Sequence, residues 1–433
     1  MGRLAVVHAL WLLLVVGTAA ARAQEPDANE RVGELERTVQ ELEERLGAME
    51  EEQAQAGTFR AYWKEGLRFD STDGAFKLKV GGRIQNDWAF FEQDRRLENQ
   101  VGNMQDGTEF RRARLYISGT VYDRVDFKIQ YDFAGGETEF KDVYLGLNRL
   151  PVVGNVRVGH FKEPFGLEVL TSSKYNTFME RGLPNGLPPF RNTGIMFQDH
   201  ELDERMTWAV GLFRDADSYG DGSGDGEYNV TARVTGLPVY EDEGGRLAHV
   251  GIAYSHRNLD NDLRFRERPE SHLAERLVDT GEFDADNMDL LGLEAAMVYG
   301  PGSIQAEYVQ AMVDGDNGTD PDFAGYYVEA SYFLTGEHRN YKRSAASFDR
   351  LRPKNNFLGK EGGLGAWQVA ARYSHIDLSD SGIRGGELDT VAAGLNWYLN
   401  PNTRVTWNYV FADPSDKYSG DANIFQMRFQ IDF

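Results

Sequence analysis

Between Leu263 and Arg268 an arginine recurs at every second position, as Arg264, Arg266 and Arg268. In an extended segment alternate side chains share a side, so this spacing sets three guanidiniums in one row about 6 to 7 Å apart, with Phe265 anchoring the other side. A guanidinium is planar, stays charged and offers paired N–H donors, which suits phosphate and similar oxyanions. Along a pore, such a row makes a series of weak anion sites, each replacing part of the hydration shell. The bland alternative is an exposed basic loop balanced by Glu267, Glu270 and Glu275. A second group lies in FRRARLYISG (110–119), which holds Arg111, Arg112 and Arg114. Arg112 and Arg114 share one strand face, and Arg83, Arg157, Arg233, Arg372 and Arg428 fall on the same parity of other segments. Their number across separate strands argues for a positive constriction, although one inward arginine alone means little.

These residues need a scaffold with an inner wall, and the periodicity supplies one. From about residue 75 the pattern has a period of two. Phe76, Leu78, Val80, Ile84, Trp88 and Phe90 oppose Lys77, Lys79, Arg83, Gln85 and Asp87. At the far end Phe425, Met427, Phe429, Ile431 and Phe433 oppose Gln426, Arg428, Gln430 and Asp432. Alternation sustained over about ten residues between turn residues is the mark of transmembrane β-strands. A soluble sandwich also alternates, but its strands usually run about five or six residues. Aromatic residues near strand ends (Trp63, Trp88, Tyr398, Trp407, Tyr409) fit an interfacial girdle.

The predicted fold class is therefore all-β, a transmembrane antiparallel β-barrel of about sixteen strands, wide enough for an aqueous lumen. Short links such as Asp123-Arg124 and Asn400-Pro401-Asn402 alternate with long polar stretches at 214–226 and 312–322. The long link at 163–192 would lie at the outer end. It carries Phe165, Leu167, Phe178, Met179 and Leu183, so it is expected to fold inward and narrow the pore. Residues 336–365 should be a short periplasmic turn by parity, yet they run long; the sequence assigns them no role.

The N-terminal region is organised differently. Residues 1–23 read as a signal peptide: Arg3, an apolar run from Leu4 to Val16, and the cleavage-like Ala21-Arg22-Ala23. Residues 24–57 carry a heptad seam (Val32, Leu35, Val39, Leu42, Leu46, Met49) and are expected to form a periplasmic coiled-coil extension. Residues 58–74 are a linker, and 75–433 form the barrel domain.

The chain has 433 residues and no cysteine, which excludes disulfides, thiolate metal sites and thiol catalysis. Its net charge of -23 weighs against nucleic acid as a partner. It says little about what the pore selects. Much of the excess sits in the heptad region and in Asp-rich outer loops, and charges there are screened over about 10 Å. No hydrolase, metalloprotease, nucleotide-binding or dinucleotide motif occurs, so no enzyme activity, cofactor or metal is expected. In the Asp-rich 215–227 stretch, Asp221, Ser223, Asp225 and Gly226 begin like a calcium loop, but Ala232 stands where the closing Glu belongs. It is read as a flexible acidic surface loop.

Several long segments in order resemble the phosphate-selective porin family (porins O and P): FKEPFGLE (161–168), TSSKYNTFMER (171–181), FRRARLYISG, YNVTARVTGLP (228–238), RPESHLAERLVDTG (268–281) and LNWYLNPN (395–402). The resemblance covers about 75–433. It implies a trimeric, sixteen-stranded outer-membrane barrel whose inward loop and arginine ladder conduct anions. It also implies that Arg264, Arg266 and Arg268 match the ladder segment, with fewer alternating arginines than phosphate-specific members show. Arg111 and Arg112 would be a paired-arginine position, Arg83 a pore arginine, Lys174 a loop lysine, Asp142 a pore acid and Phe433 the terminal aromatic used for insertion. The N-terminal extension is not explained by the resemblance. The expected function is passive, anion-preferring diffusion of phosphate or related anions. Expected partners are copies of the chain itself, outer-membrane lipids with lipopolysaccharide, and small anions. The alternatives are a general or cation-preferring porin, and a non-conducting envelope tether or barrel enzyme.

Overall fold

The computed structural model describes residues 28–55, 59–224, 226–315, 318–360 and 362–433. The signal-peptide reading of 1–23 lies outside them. The chain divides into two units, Met1–Phe59 and Arg60–Phe433. In the first, Ala28–Gln55 forms one helix, α1. Its six seam residues are all more than half exposed.

The second unit is built on sixteen antiparallel strands. They are β1 (Phe76–Gln93), β2 (Gly107–Val121), β3 (Val125–Asp132), β4 (Glu139–Leu150), β5 (Gly154–Lys162), β6 (Arg191–Glu201), β7 (Met206–Arg214) and β8 (Asn229–Glu241). The second half comprises β9 (Arg246–Leu263), β10 (Phe283–Tyr299), β11 (Gly302–Gly315), β12 (Asp322–Phe333), β13 (Ala366–Asp380), β14 (Ile383–Asn400), β15 (Thr403–Ser415) and β16 (Ala422–Asp432). Each strand pairs with the next. β16 closes onto β1, in register from Ala422 opposite Gln93 to Asp432 opposite Arg83. The terminal Phe433 completes the seam, exchanging backbone hydrogen bonds of 2.8 and 3.1 Å with Gly82.

Burial is inverted relative to a water-soluble protein. Outward Ile84, Ile117, Ile252, Leu293, Val328 and Phe429 are exposed, whereas inward Gln85, Arg112, Thr231, Glu294, Arg372 and Arg428 are buried. That arrangement is stable only with lipid outside and a polar interior. Trp367, Trp397 and Trp407, on adjacent strands near the short-link end, stack with ring centroids 5.1 and 6.5 Å apart, as an interfacial girdle does.

Short links gather at one barrel end and long ones at the other, with two exceptions. Ser381-Gly382 is a two-residue turn at the long-link end, with positive φ at both residues, the conformation that follows strand twist in a tight hairpin. At the short-link end, the stretch between β12 and β13 is long and enters the barrel. There Arg339 pairs with Glu329 at 3.3 Å, Arg350 pairs with Asp432, and the Tyr341 hydroxyl lies 2.8 Å from His249 Nδ1.

Two further links enter from the opposite end: 163–190 and 264–282. Phe165, Phe178, Leu183 and Leu187 from the first, with Phe265, Leu277 and Val278 from the second, pack on Leu290, Val309, Phe323, Ile376, Leu388, Val410 and Ile424 of the wall. Wall glycines make room for the loop. A Cβ on Gly292 would lie 2.6 Å from the Phe165 ring, and one on Gly394 would lie 3.2 Å from Phe178. The lumen along β10–β16 is thus filled by the inward links, apolar around these residues and hydrogen-bonded to buried polar wall residues such as Glu307, Arg372 and Asn408 elsewhere, leaving space along β1–β8.

Candidate anion path

The path starts at a break in strand alternation. Along β1 and β2, Gln85 faces Arg112 but Asn86 faces Phe110, so Arg111 is one residue too many. Such a bulge re-aims a side chain. Phe110 stays outside, and Arg111 and its neighbour Arg112 both reach inward contacts. Arg111 binds both Glu180 carboxylate oxygens through Nε and Nη2, each at 3.0 Å. Arg112 donates to Gln85 at 2.9 Å and lies 3.9 Å from Glu180. Arg428 reaches the same carboxylate at 2.7 Å. Glu180 belongs to the 163–190 link, so three wall arginines fix that loop in the lumen.

Arg83 on β1 donates to the hydroxyls of Ser173 at 2.7 Å and Ser172 at 3.3 Å, and has no carboxylate partner among the described residues. Arg114 is paired with Asp132 at 2.6 Å. Asp142 accepts from Lys128 at 2.5 Å and from Arg191 at 2.9 Å. Lys174 pairs with Asp432 at 3.2 Å.

A cavity of about 670 Å³ runs beside these residues. Arg83, Arg111, Arg112, Arg114 and Asp142 line it. Its described lining carries eight arginines and four lysines against two aspartates and no glutamate. Several of these cations have only neutral partners among the described residues. Arg157 stacks on the Tyr144 ring at 4.3 Å, Lys162 donates to the Val169 carbonyl at 2.5 Å, and Arg181 donates to the Glu168 carbonyl at 3.0 Å. Arg112 Nε and Arg191 Nη1 are buried and find no acceptor among the described residues. An anion entering here would supply one.

Other inward arginines serve as fasteners. Arg372 binds Glu168 at 3.1 Å and Glu270 at 2.5 Å, joining both inward links to β13. Arg428 holds Asp87 across the β16–β1 closure at 2.6 Å.

Arg264, Arg266 and Arg268 lie in the 264–282 link, outside the cavity lining. Arg264 and Arg266 are exposed on one side with Phe265 buried on the other, as the alternation sets them. Arg264 grips Asp279 at 2.8 and 2.6 Å, and these hydrogen bonds hold the Asp279 carboxyl at about 2. Arg268 reaches the Ala274 carbonyl at 3.4 Å. The sequence reading missed Lys141, Lys162, Arg181 and Arg191 as lining residues; Lys128 alternates with Phe127 and Ile129 on β3 and so follows from strand parity, whereas Arg181 is placed only by the loop's fold.

The family model for phosphate-selective porins O and P matches residues 78–433. Porin O of Pseudomonas aeruginosa is 32% identical over 394 residues, covering 81% of this chain and 86% of that protein. Among solved structures, the anion-selective porin from Comamonas acidovorans superposes with a TM-score of 0.52 at 15% identity, covering 83% of this chain and all of that one. The outer-membrane channel DcaP of Acinetobacter baumannii gives 0.52 at 14% identity, covering 84% and 99%. At such identities these two speak for the barrel fold alone. The match over the whole barrel and the one-third identity to Porin O decide the family. The chain belongs to the phosphate-selective porin O and P family.

Proposed function

We propose that this outer-membrane, anion-preferring porin passes phosphate and related small anions by diffusion along the β1–β8 wall. Arg83, Arg111, Arg112 and Arg114 are the central sites of that path, with Asp142 holding Lys128 and Arg191 in place. The observation that carries this reading is the twelve-to-two excess of cationic over acidic residues lining the cavity. Fixed guanidinium donors replace an anion's hydration shell, and several weak sites in series keep it moving. Arg264, Arg266 and Arg268 serve as an outer collecting row ahead of the cavity, and Lys174 tunes the field near Asp432. The working assembly is a trimer with its apolar band against lipid and lipopolysaccharide.

Reversal potentials across a planar bilayer in a salt gradient test the reading. Chloride preference is expected, with phosphate reducing the chloride current as it occupies the same sites. Cation preference would overturn it in favour of a general or cation-preferring porin, and absence of conductance in favour of a tether.

A further inference from the structure

The barrel unit begins at Arg60; helix α1 belongs to the other unit and carries an exposed apolar surface. Val32, Leu35, Val39, Leu42, Leu46 and Met49 form one apolar stripe, each between 52% and 66% exposed. Spacings of three and four put Val32, Val39 and Leu46 at a and Leu35, Leu42 and Met49 at d. The flanking columns differ in sign. The e column reads Glu36, Glu43, Glu50, and the g column reads Arg31, Thr38, Arg45.

We infer that α1 docks on the same helix of further copies of this chain, parallel and in register. The charge columns choose both partner and orientation. In a parallel bundle each g column runs beside the e column of the next copy, so arginines face glutamates. In an antiparallel pair e faces e, setting glutamates against glutamates, and g faces g. A different acidic or neutral partner would leave one column unanswered; a second copy answers both. The parallel orientation also has a topological consequence. Copies joined this way have their barrels side by side in one membrane, so the helix bundle gathers channels and does not bridge two facing membranes.

The absence of cysteine from the chain makes the test clean. Full-length protein carrying Leu35→Cys is extracted in mild detergent, oxidised gently and run on a denaturing gel. A d position near one helix end meets its own counterpart only in a parallel, in-register bundle. Most of the Leu35→Cys chain is therefore expected as covalent pairs, while Arg37→Cys, on the opposite face, stays single. Leu42→Cys, near the middle of the seam, cross-links in either orientation and reports association itself. Cross-linking of Leu42→Cys, with Leu35→Cys pairing only when mixed with Leu46→Cys, would overturn the parallel arrangement. No cross-linking at Leu35 or Leu42 would overturn self-association altogether. The barrel's own folding is read separately, from its resistance to unfolding in unheated detergent samples.

Discussion

Arg111 on the β2 bulge and Glu180 on the inward loop meet through two parallel N–H···O bonds of 3.0 Å. This two-point contact joins the barrel wall to the segment that narrows it. Because Arg112 and Arg428 also face Glu180, its single carboxylate offsets part of the positive field that an anion would feel.

Glu180→Gln is therefore expected to raise anion selectivity. Losing one negative charge at a partly screened site shifts an ion's energy by about 1 kcal/mol, or roughly fivefold in the anion-to-cation permeability ratio. Reversal potentials check this. An unchanged or lower ratio would show that Glu180 only positions the loop.

Arg83 and Arg114 should differ when each is replaced by alanine. Arg83 leans on serine hydroxyls, so its loss subtracts one cation. Arg114→Ala also leaves Asp132 without its partner, so a negative charge is uncovered in the path. The selectivity loss is expected to be larger for Arg114→Ala than for Arg83→Ala, in the same bilayer measurement. Equal losses would mean that Asp132 is remote from the ion.

Gly292 has no space for a side chain, since a Cβ there would sit 2.6 Å from the Phe165 ring. Gly292→Val is expected to push the inward loop off the β10 wall at a cost of about 1–3 kcal/mol. Single-channel records should show a noisier open level, and the thermal transition should fall, while the barrel still inserts.

The Arg264–Asp279 pair governs the outer link. Its depressed Asp279 pKa, about 2, means the charged pair is present above the ordinary carboxyl value and is lost only as pH falls through about 2. Between pH 4 and 8 its contribution should not change. Asp279→Asn removes the nearer of the two carboxylates beside Arg264, leaving Glu282 at 3.7 Å, and phosphate should then block chloride current at lower concentration at any of these values. A pH-dependent block that disappears in Asp279→Asn would contradict this assignment.

Strand alternation made the sixteen strands and their lumen faces readable in the sequence, because each strand's pattern depends only on its own two environments. Arg112 and Arg114 follow from that rule. Arg111 does not, because the bulge that turns it inward is visible only in the β1–β2 register. The apolar content of 163–190 announced an inward loop, through Phe165, Phe178 and Leu183. The entry of the β12–β13 link was not announced. Its anchors, such as Arg350 with Asp432 and Tyr341 with His249, join residues 82 and 92 positions apart, and no local period records them. The arginines divide in the same way. Sequence parity groups Arg83 with Arg372 and Arg428, and only three-dimensional contacts separate a free cation from two fasteners.

The inward links packed along β10–β16 leave the open space of the lumen on one side of the barrel. Packed protein on the filled side, its charges tied into ion pairs such as Arg372 with Glu270, reorients less than water would, so the field of the guanidiniums opposite is concentrated in a narrow water column. Counter-ions should crowd there at levels set by the wall rather than by the bath. The electrical signature of that crowding is saturation: current should level off with rising salt, whereas a wide, evenly wetted barrel stays proportional.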